Sequence, residues 1–227
     1  MTRLLEVKSG PRIRISSLDP FEIPDGLIEM LSGEEKLCPH FHIALQSGSD
    51  KILSSMRRIY KAHEFYDVTK KIENANPDTF IGVDVIVGFP GESDIEFEET
   101  INLLSQSFWA KLHVFSFSER EGTAAACLSD KVAPRVIDER SEILRAYSDR
   151  RHDWFLESQV GKAKQVLLER PSKKRPGIWL GHTENYLPTY SEAPTGAERE
   201  IVPSLVLARE GNRVLTRALS SSSLLSE

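Results

Sequence analysis

Phe80-Ile81-Gly82-Val83-Asp84-Val85-Ile86-Val87-Gly88-Phe89-Pro90-Gly91-Glu92 is the stretch that decides the fold. Its first eight residues are apolar and largely β-branched, interrupted by one glycine and one carboxylate, the composition of a strand covered on both faces. The glycine-containing turn Gly88–Glu92 follows at once, and Ser93-Asp94-Ile95-Glu96 then reads as a capping box. There the Ser93 oxygen takes a backbone N–H that the first helical turn leaves unpaired, while Glu96 reaches back. A strand handed over to a capped helix is half of a βαβ unit. Ligands in such folds bind beyond the carboxyl ends of the strands. Gly88 is therefore a candidate binding residue, since a missing Cβ lets backbone approach a ligand closely; a merely tight connection would use the same glycine. Asp84 stands out because a carboxylate inside an apolar strand is costly unless partnered. Two partners fit: a group on a neighbouring strand, or a ligand hydroxyl such as that of a ribose.

Outward from this unit the same grammar repeats. Phe41–Gln46 is a short strand closed by Ser47-Gly48-Ser49-Asp50, Leu112–Phe117 is another, and Arg12–Ser16 alternates polar with apolar before Asp19-Pro20 stops it. Between them, His63–Ala75 places Phe65, Val68, Ile72 and Ala75 at helical spacing, and Phe97, Ile101 and Leu104 form an apolar stripe. A longer helix runs from Pro134 to about Ser158, with Val136, Ile143, Tyr147, Trp154 and Phe155 expected inward and Arg135, Arg140, Arg145, Arg150 and Arg151 toward solvent. Four strands joined by helices predict a parallel α/β arrangement, part of an open sheet or barrel. Gln46 and Ser47 end a strand at the same rim as Gly88, where polar side chains and free amides suit a carboxylate or a ribose. Ser49 also reads as the N-cap of the next helix. Arg58, twelve positions past Gln46, has the fork geometry that carboxylates favour, although by charge alone it is a surface residue. His40, His42 and His63 form no metal pattern, and His40 and His42 read as structural.

After Ser158 the pattern changes. Short β-rich runs at Lys164–Leu168, Gly177–Gly181, Glu200–Leu207 and Arg213–Thr216, punctuated by Gly and Pro, predict a small all-β barrel. The boundaries expected are 1–157 for the α/β part, 158–219 for the barrel and 220–227 for a disordered serine-rich tail. The net charge of −5 is unevenly placed: between Glu157 and Leu219 ten Lys and Arg face seven Asp and Glu. A mildly basic segment on an acidic body suits a polyanion-binding appendage. The loop Lys173-Lys174-Arg175 and the run Gly181-His182-Thr183-Glu184-Asn185-Tyr186, with Trp179, suit single-stranded RNA through stacking and phosphate contacts. The bland alternative is a plain loop with core aromatics. The two cysteines, Cys38 and Cys127, make neither a disulfide framework nor a zinc cage and read as free thiols in a reducing cytoplasm. No apolar run approaches the roughly 18 residues of a membrane span.

Five segments, in this order, resemble the radical-SAM tRNA methylthiotransferases. They are Arg12–Pro20 (Arg-Ile-Arg-Ile-Ser-Ser-Leu-Asp-Pro), His40–Asp50 (His-Phe-His-Ile-Ala-Leu-Gln-Ser-Gly-Ser-Asp), Met56-Arg57-Arg58-Ile59-Tyr60, Asp84–Glu92 and Phe117–Ala125. The Gly-His-Thr-Glu-Asn-Tyr run is similar to that family's TRAM domain, an OB-like RNA-binding barrel. Within the family the chain is most similar to the MtaB-type branch, which methylthiolates threonylcarbamoyladenosine beside the tRNA anticodon. The isopentenyladenosine branch is the near alternative.

The resemblance implies a partial radical-SAM (β/α) half-barrel followed by the TRAM barrel. It implies S-adenosylmethionine as cofactor, held by Gln46, Ser47, Arg58, Asp84, Gly88, Val114 and Phe115: Gln46 and Asp84 on ribose or methionine polar atoms, Arg58 on the methionine carboxylate, and Gly88 with Val114–Phe117 against the adenine. It implies RNA contacts from Lys173, Lys174, Arg175, His182, Asn185 and Tyr186, with the tRNA anticodon stem-loop as partner, in the cytoplasm. The family's reaction uses two 4Fe-4S clusters on six cysteines; this chain has two, neither at a cluster position. The chain alone is expected to be catalytically incompetent, its catalytic residues and metal ligands belonging to an N-terminal, cluster-bearing portion. Two other readings compete: an RNA-binding protein using only its small barrel, and a sugar-phosphate enzyme with Gly88–Glu92 as a phosphate loop, which leaves Gly181–Tyr186 unexplained.

Overall fold

The computed structural model describes residues 11–193 and 198–219; the expected disordered tail at 220–227 lies outside them. The chain divides into two compact units, Met1–Arg151 and His152–Glu227, earlier than the boundary expected after residue 157.

The first unit holds a three-stranded parallel sheet of β1 (His40–Gln46), β2 (Phe80–Val87) and β3 (Lys111–Ser116), in that order. Helices α1 (Asp25–Met30), α2 (Asp50–Ser55), α3 (Ala62–Ala75), α4 (Asp94–Gln106) and α5 (Pro134–Glu157) accompany it. Arg12–Ser16, expected as a fourth strand, makes only one isolated parallel bridge, Ile13 with Leu37, and a second follows it, Leu18 with Ile43. The reason is local: Ser17 takes a φ of +62° between them, a left-handed conformation that interrupts an extended run.

Alternation along the strands separates two faces. Phe41, Ile43 and Leu45 of β1 and Ile81, Val83, Val85 and Val87 of β2 are buried. Ile52, Leu53, Phe65, Ile72 and Leu104 from the helices are buried as well. Each such side chain contributes about 2 kcal/mol of transfer free energy. The opposite face carries the polar groups: His40 lies beside Phe80, His42 beside Gly82 and Ala44 beside Asp84, while Gly82, Asp84 and Ile86 lie beside Lys111, His113 and Phe115.

The capping box forms as read. Ser93 Oγ accepts from Ile95 N at 3.2 Å, and Glu96 accepts from Ser93 N at 2.7 Å. Lys51 donates to Glu96 at 2.7 Å and, with Ser93, holds its carboxyl down to about 2. The buried side of α4 is nonetheless Glu96, Thr100 and Leu104, with Phe97 and Ile101 only half-buried. The cause is Gly48, where a Cβ would lie 2.5 Å from Thr100 Cα, so the loop backbone rests on α4 at Thr100. Ser49 stands at the N-cap of α2 but makes no capping bond there.

Helix α5 also turns otherwise than its apolar residues indicate. Ile143 and Trp154 are about half exposed, whereas Arg140 is buried. Arg140 donates to the Glu92 carboxylate and to Asp94, both at 2.7 Å, so pairing overrides its polarity. Arg151 is likewise drawn in, donating to the Trp109 carbonyl at 3.0 Å.

The second unit is a closed five-stranded barrel in the order β4-β5-β6-β8-β7: β4 (Ala163–Pro171), β5 (Ile178–His182), β6 (Pro188–Glu192), β7 (Ile201–Glu210) and β8 (Arg213–Ala218). Strand β6 was not foreseen, because a leading proline and a terminal glutamate mask its short Thr189-Tyr190-Ser191 core. Val166, Leu168 and Trp179 form the barrel core. Closure leaves no free sheet edge.

Candidate cofactor rim and nucleic-acid interface

The rim of the parallel sheet is built around an irregularity in β1. The register with β2 slips between Ala44 and Gln46, and Gln46 adopts a φ of +63°. Non-glycine residues in this region carry strain of about 1–2 kcal/mol. The buried Tyr60 holds the irregularity in place, its hydroxyl donating to the Ala44 carbonyl at 2.6 Å and to that of Leu45 at 3.1 Å. Burial pushes that hydroxyl's pKa up, keeping it protonated as a donor. The Met56–Tyr60 segment thus serves the end of β1 directly.

Gln46 lies where two clefts adjoin. One, of about 400 Å³, is lined by Gln46, Ile86, Phe115, Ser116, Phe117 and Arg120 among others. The second, of about 260 Å³, includes Gln46, Arg58, Ile86 and Phe89. Gln46 is 7 % exposed and its side-chain amide makes no hydrogen bond with the described residues. An amide that bonds no other part of the protein is available to a ligand, as both donor and acceptor.

The remaining rim candidates are placed differently. Arg58 borders the second cleft but already donates to the Asp19 carboxylate at 3.1 and 3.4 Å. Asp84 lies on the polar face, its carboxylate 2.6 Å from His42 Nε2, and His42 stacks on His113 at 4.8 Å. Burial and the neighbouring His42 lower the pKa of His113. Asp84 thus has the cross-strand partner that one of its two readings required. Ser47 Oγ accepts from Ser49 N at 3.2 Å, and Gly48 N donates to Thr100 Oγ1 at 2.9 Å, so those amides are engaged.

Gly88 has a φ of +79°, and a Cβ there would lie 2.3 Å from Ile137 Cγ1. Its N–H donates to the Glu92 carboxylate. The packing of α5 therefore already requires this glycine. Phe115 lines the larger cleft, while Val114, one residue out of phase, lies on the side of Leu112, whose N–H bonds Ser148 of α5. Ile86 and Arg120 were not singled out from sequence. Ile86 was findable, because it shares the Asp84 face two residues on.

In the barrel, the Lys173-Lys174-Arg175 loop borders a cleft of about 530 Å³ with Arg170, Arg213 and Tyr190. The guanidinium carbon of Arg175 lies 4.2 Å from the Tyr190 ring centroid and that of Arg213 5.2 Å. His182 stacks on Tyr186 at 4.7 Å, with its Nδ1 2.7 Å from Glu169. Tyr186 is 44 % exposed. Asn185 is fully buried, accepting from Thr183 Oγ1 and donating to Gln159; it shapes the turn and presents no surface. Trp179 belongs to the core.

No helix among the described residues is long and apolar enough to cross a membrane. No group of three or more His, Cys, Asp or Glu among them could hold a metal ion. Cys38 is buried and Cys127 exposed. These residues do not fit an iron–sulfur cluster, which needs converging thiolates.

Residues 2–104 match the radical SAM superfamily. The chain is 38 % identical over 183 residues to the threonylcarbamoyladenosine tRNA methylthiotransferase MtaB of Bacillus subtilis, covering 80 % of this chain and 41 % of that protein. It is 40 % identical over 170 residues to the tRNA-2-methylthio-N(6)-dimethylallyladenosine synthase of Novosphingobium aromaticivorans, covering 75 % and 38 %. The chain thus spans about two fifths of the length of these relatives. The radical SAM enzyme coproporphyrinogen III oxidase of Escherichia coli shares the fold, with a TM-score of 0.53 at 17 % identity over 66 % of this chain and 36 % of that one. On this sequence relationship, residues 2–104 are similar to the radical SAM superfamily, and the chain is similar over most of its own length to the tRNA methylthiotransferases.

Proposed function

We propose that this chain supplies the S-adenosylmethionine rim and the RNA-binding barrel of a tRNA methylthiotransferase. The modified base is a hypermodified adenosine beside the anticodon, threonylcarbamoyladenosine on the resemblance of the Arg12–Pro20 and Cys38–His42 segments. The tRNA anticodon stem-loop is the macromolecular substrate, and the barrel has the TRAM role. Dimethylallyladenosine is the competing substrate, favoured by the 40 % identical relative.

The observation that carries the reading is the Gln46 amide, unpartnered and shared by two adjoining clefts beyond the carboxyl ends of β1–β3. Bound there, S-adenosylmethionine supplies an adenosyl group for radical chemistry. In this proposal Gln46 bonds ribose or methionine polar atoms, and Phe115 packs against the adenine. Arg58 takes the methionine carboxylate with the N–H groups that Asp19 leaves free. Asp84 accepts from a hydroxyl with the oxygen not bonded to His42. Cys38 and Cys127 take no part, and cluster ligands come from outside the described residues.

The test is equilibrium binding of S-adenosylmethionine to the chain and to Gln46→Gly. Glycine keeps the positive φ without strain and removes the amide. Affinity should fall by roughly tenfold, about the worth of one well-placed hydrogen bond. Equal binding by the two proteins, or none by the unaltered chain, would refute the rim assignment. Salt-dependent tRNA binding with no cofactor binding would favour the barrel as the sole working part.

A further inference from the structure

The barrel cleft has a construction that the charge of its loop does not convey. Five cations border it, Arg170, Lys173, Lys174, Arg175 and Arg213, and no carboxylate or amide side chain does. Two of the five lie over one ring, Tyr190, at 4.2 and 5.2 Å. Both are tethered a second time, Arg175 to the Glu210 carboxylate and Arg213 to the Thr189 carbonyl at 3.4 Å. Arginines on a flexible surface lose side-chain entropy when they grip a ligand. Here ring and tethers have removed much of that freedom before binding.

We propose that this cleft is a pre-formed clamp for the phosphodiester backbone of single-stranded RNA, with Tyr190 as the positioning residue that spaces its two guanidiniums. This rests on the RNA reading of the barrel and deepens it. The ligand class follows from the donors. Apart from the hydroxyls of Ser172 and Tyr190, the polar side chains at the cleft only donate hydrogen bonds, which matches phosphate oxygens, whereas base edges present donors as well as acceptors. The face of Tyr190 is engaged by cations, so the ring orders guanidiniums instead of stacking a base. Tyr186, exposed and stacked on His182, is not part of this cleft.

The experiment is fluorescence anisotropy of labelled oligouridine and oligoadenosine with the full chain, across a salt series. The unaltered protein should bind both with similar affinity, with a log–log salt slope steepening toward about −3.5 if all five cations meet phosphates. Tyr190→Leu keeps every charge, and should weaken binding roughly three- to tenfold by freeing two guanidiniums. Tyr190→Phe should restore the unaltered affinity, which a general loss of strand packing would not permit. Arg213→Gln should flatten the slope by about 0.7 whether or not Tyr190→Leu folds. If the unaltered chain binds RNA while Tyr190→Leu and Arg213→Gln match it in affinity and slope, the clamp is overturned and RNA binding stands. If the unaltered chain binds neither oligonucleotide, both fall. A strong preference between the two bases, unaffected by these variants, also overturns the clamp.

Discussion

Replacing Arg140 by methionine tests how the rim of the parallel sheet is supported. Arg140 and Glu92 are 6 % and 3 % exposed at the side chain and pair at 2.7 Å. Arg140 also donates to the Glu92 carbonyl at 3.0 Å, and Glu92 in turn accepts the Gly88 N–H. Burial already pushes the Glu92 carboxyl above its ordinary value, against the Gly88 amide and Arg140, which hold it down. Methionine fills much of the arginine's volume but leaves that carboxylate buried and uncompensated, a loss of about 3–5 kcal/mol at neutral pH. The exposed Asp94 arm of the pair adds little.

The sign with pH follows from linkage. A carboxyl whose folded pKa is raised contributes stability below its unfolded pKa and loses it as pH rises through the folded value. Without Arg140 the folded pKa rises further, so the deficit of Arg140→Met should shrink as pH is lowered toward 4.5. Arg140→Met with Glu92→Gln should recover much of the loss even at neutral pH. Hydrogen exchange of the Phe80–Val87 peptide against urea reports this unit directly. A variant within about 1 kcal/mol of the parent, or a deficit that does not vary with pH, would refute this account.

Three further outcomes are expected. His40 is buried and stacked on Phe80 at 5.5 Å, and burial lowers its pKa to about 4. Between pH 6.5 and 4 the unfolded chain takes a proton that the folded chain refuses, so about 3 kcal/mol of stability is lost as pH falls; His40→Phe should flatten that limb of the pH–stability profile. In the barrel, a Cβ at Gly181 would lie 2.0 Å from the Leu167 carbonyl oxygen. Gly181→Ala should therefore destabilise by about 3 kcal/mol, read as an early unfolding transition that spares the β1–β3 peptides in hydrogen exchange. Gln46→Gly should leave the melting temperature within a few degrees, because relief of about 1–2 kcal/mol of strain offsets glycine's entropic cost of about 0.5–1 kcal/mol; a large drop would mean that the Gln46 side chain is a packing element.

Much of the fold was legible because its signals are local. The apolar run of β2, the Ser93–Glu96 box and the alternation of strand with helix depend on residues within a turn or two of each other, and all appear as read. The rim position of Gln46 and Phe115 followed from the same logic, since the end of a strand is set by the strand. Gly88 was read as a glycine that lets backbone approach a ligand or makes a tight connection; the clash that demands glycine there comes from Ile137, which only the packing of α5 brings there. Arg140 turned inward for the same kind of reason: Glu92, far away in sequence, outweighs the helix's own pattern of apolar residues. Thr100 replaced Phe97 and Ile101 on the buried side of α4 because Gly48 lets a loop lie against it. The sequence by itself determined the two kinds of architecture and the order of the elements. Tertiary structure decided which face of each helix is covered and which polar groups remain unpartnered. Those outcomes depend on contacts between residues tens of positions apart, and local periodicity carries no information about them.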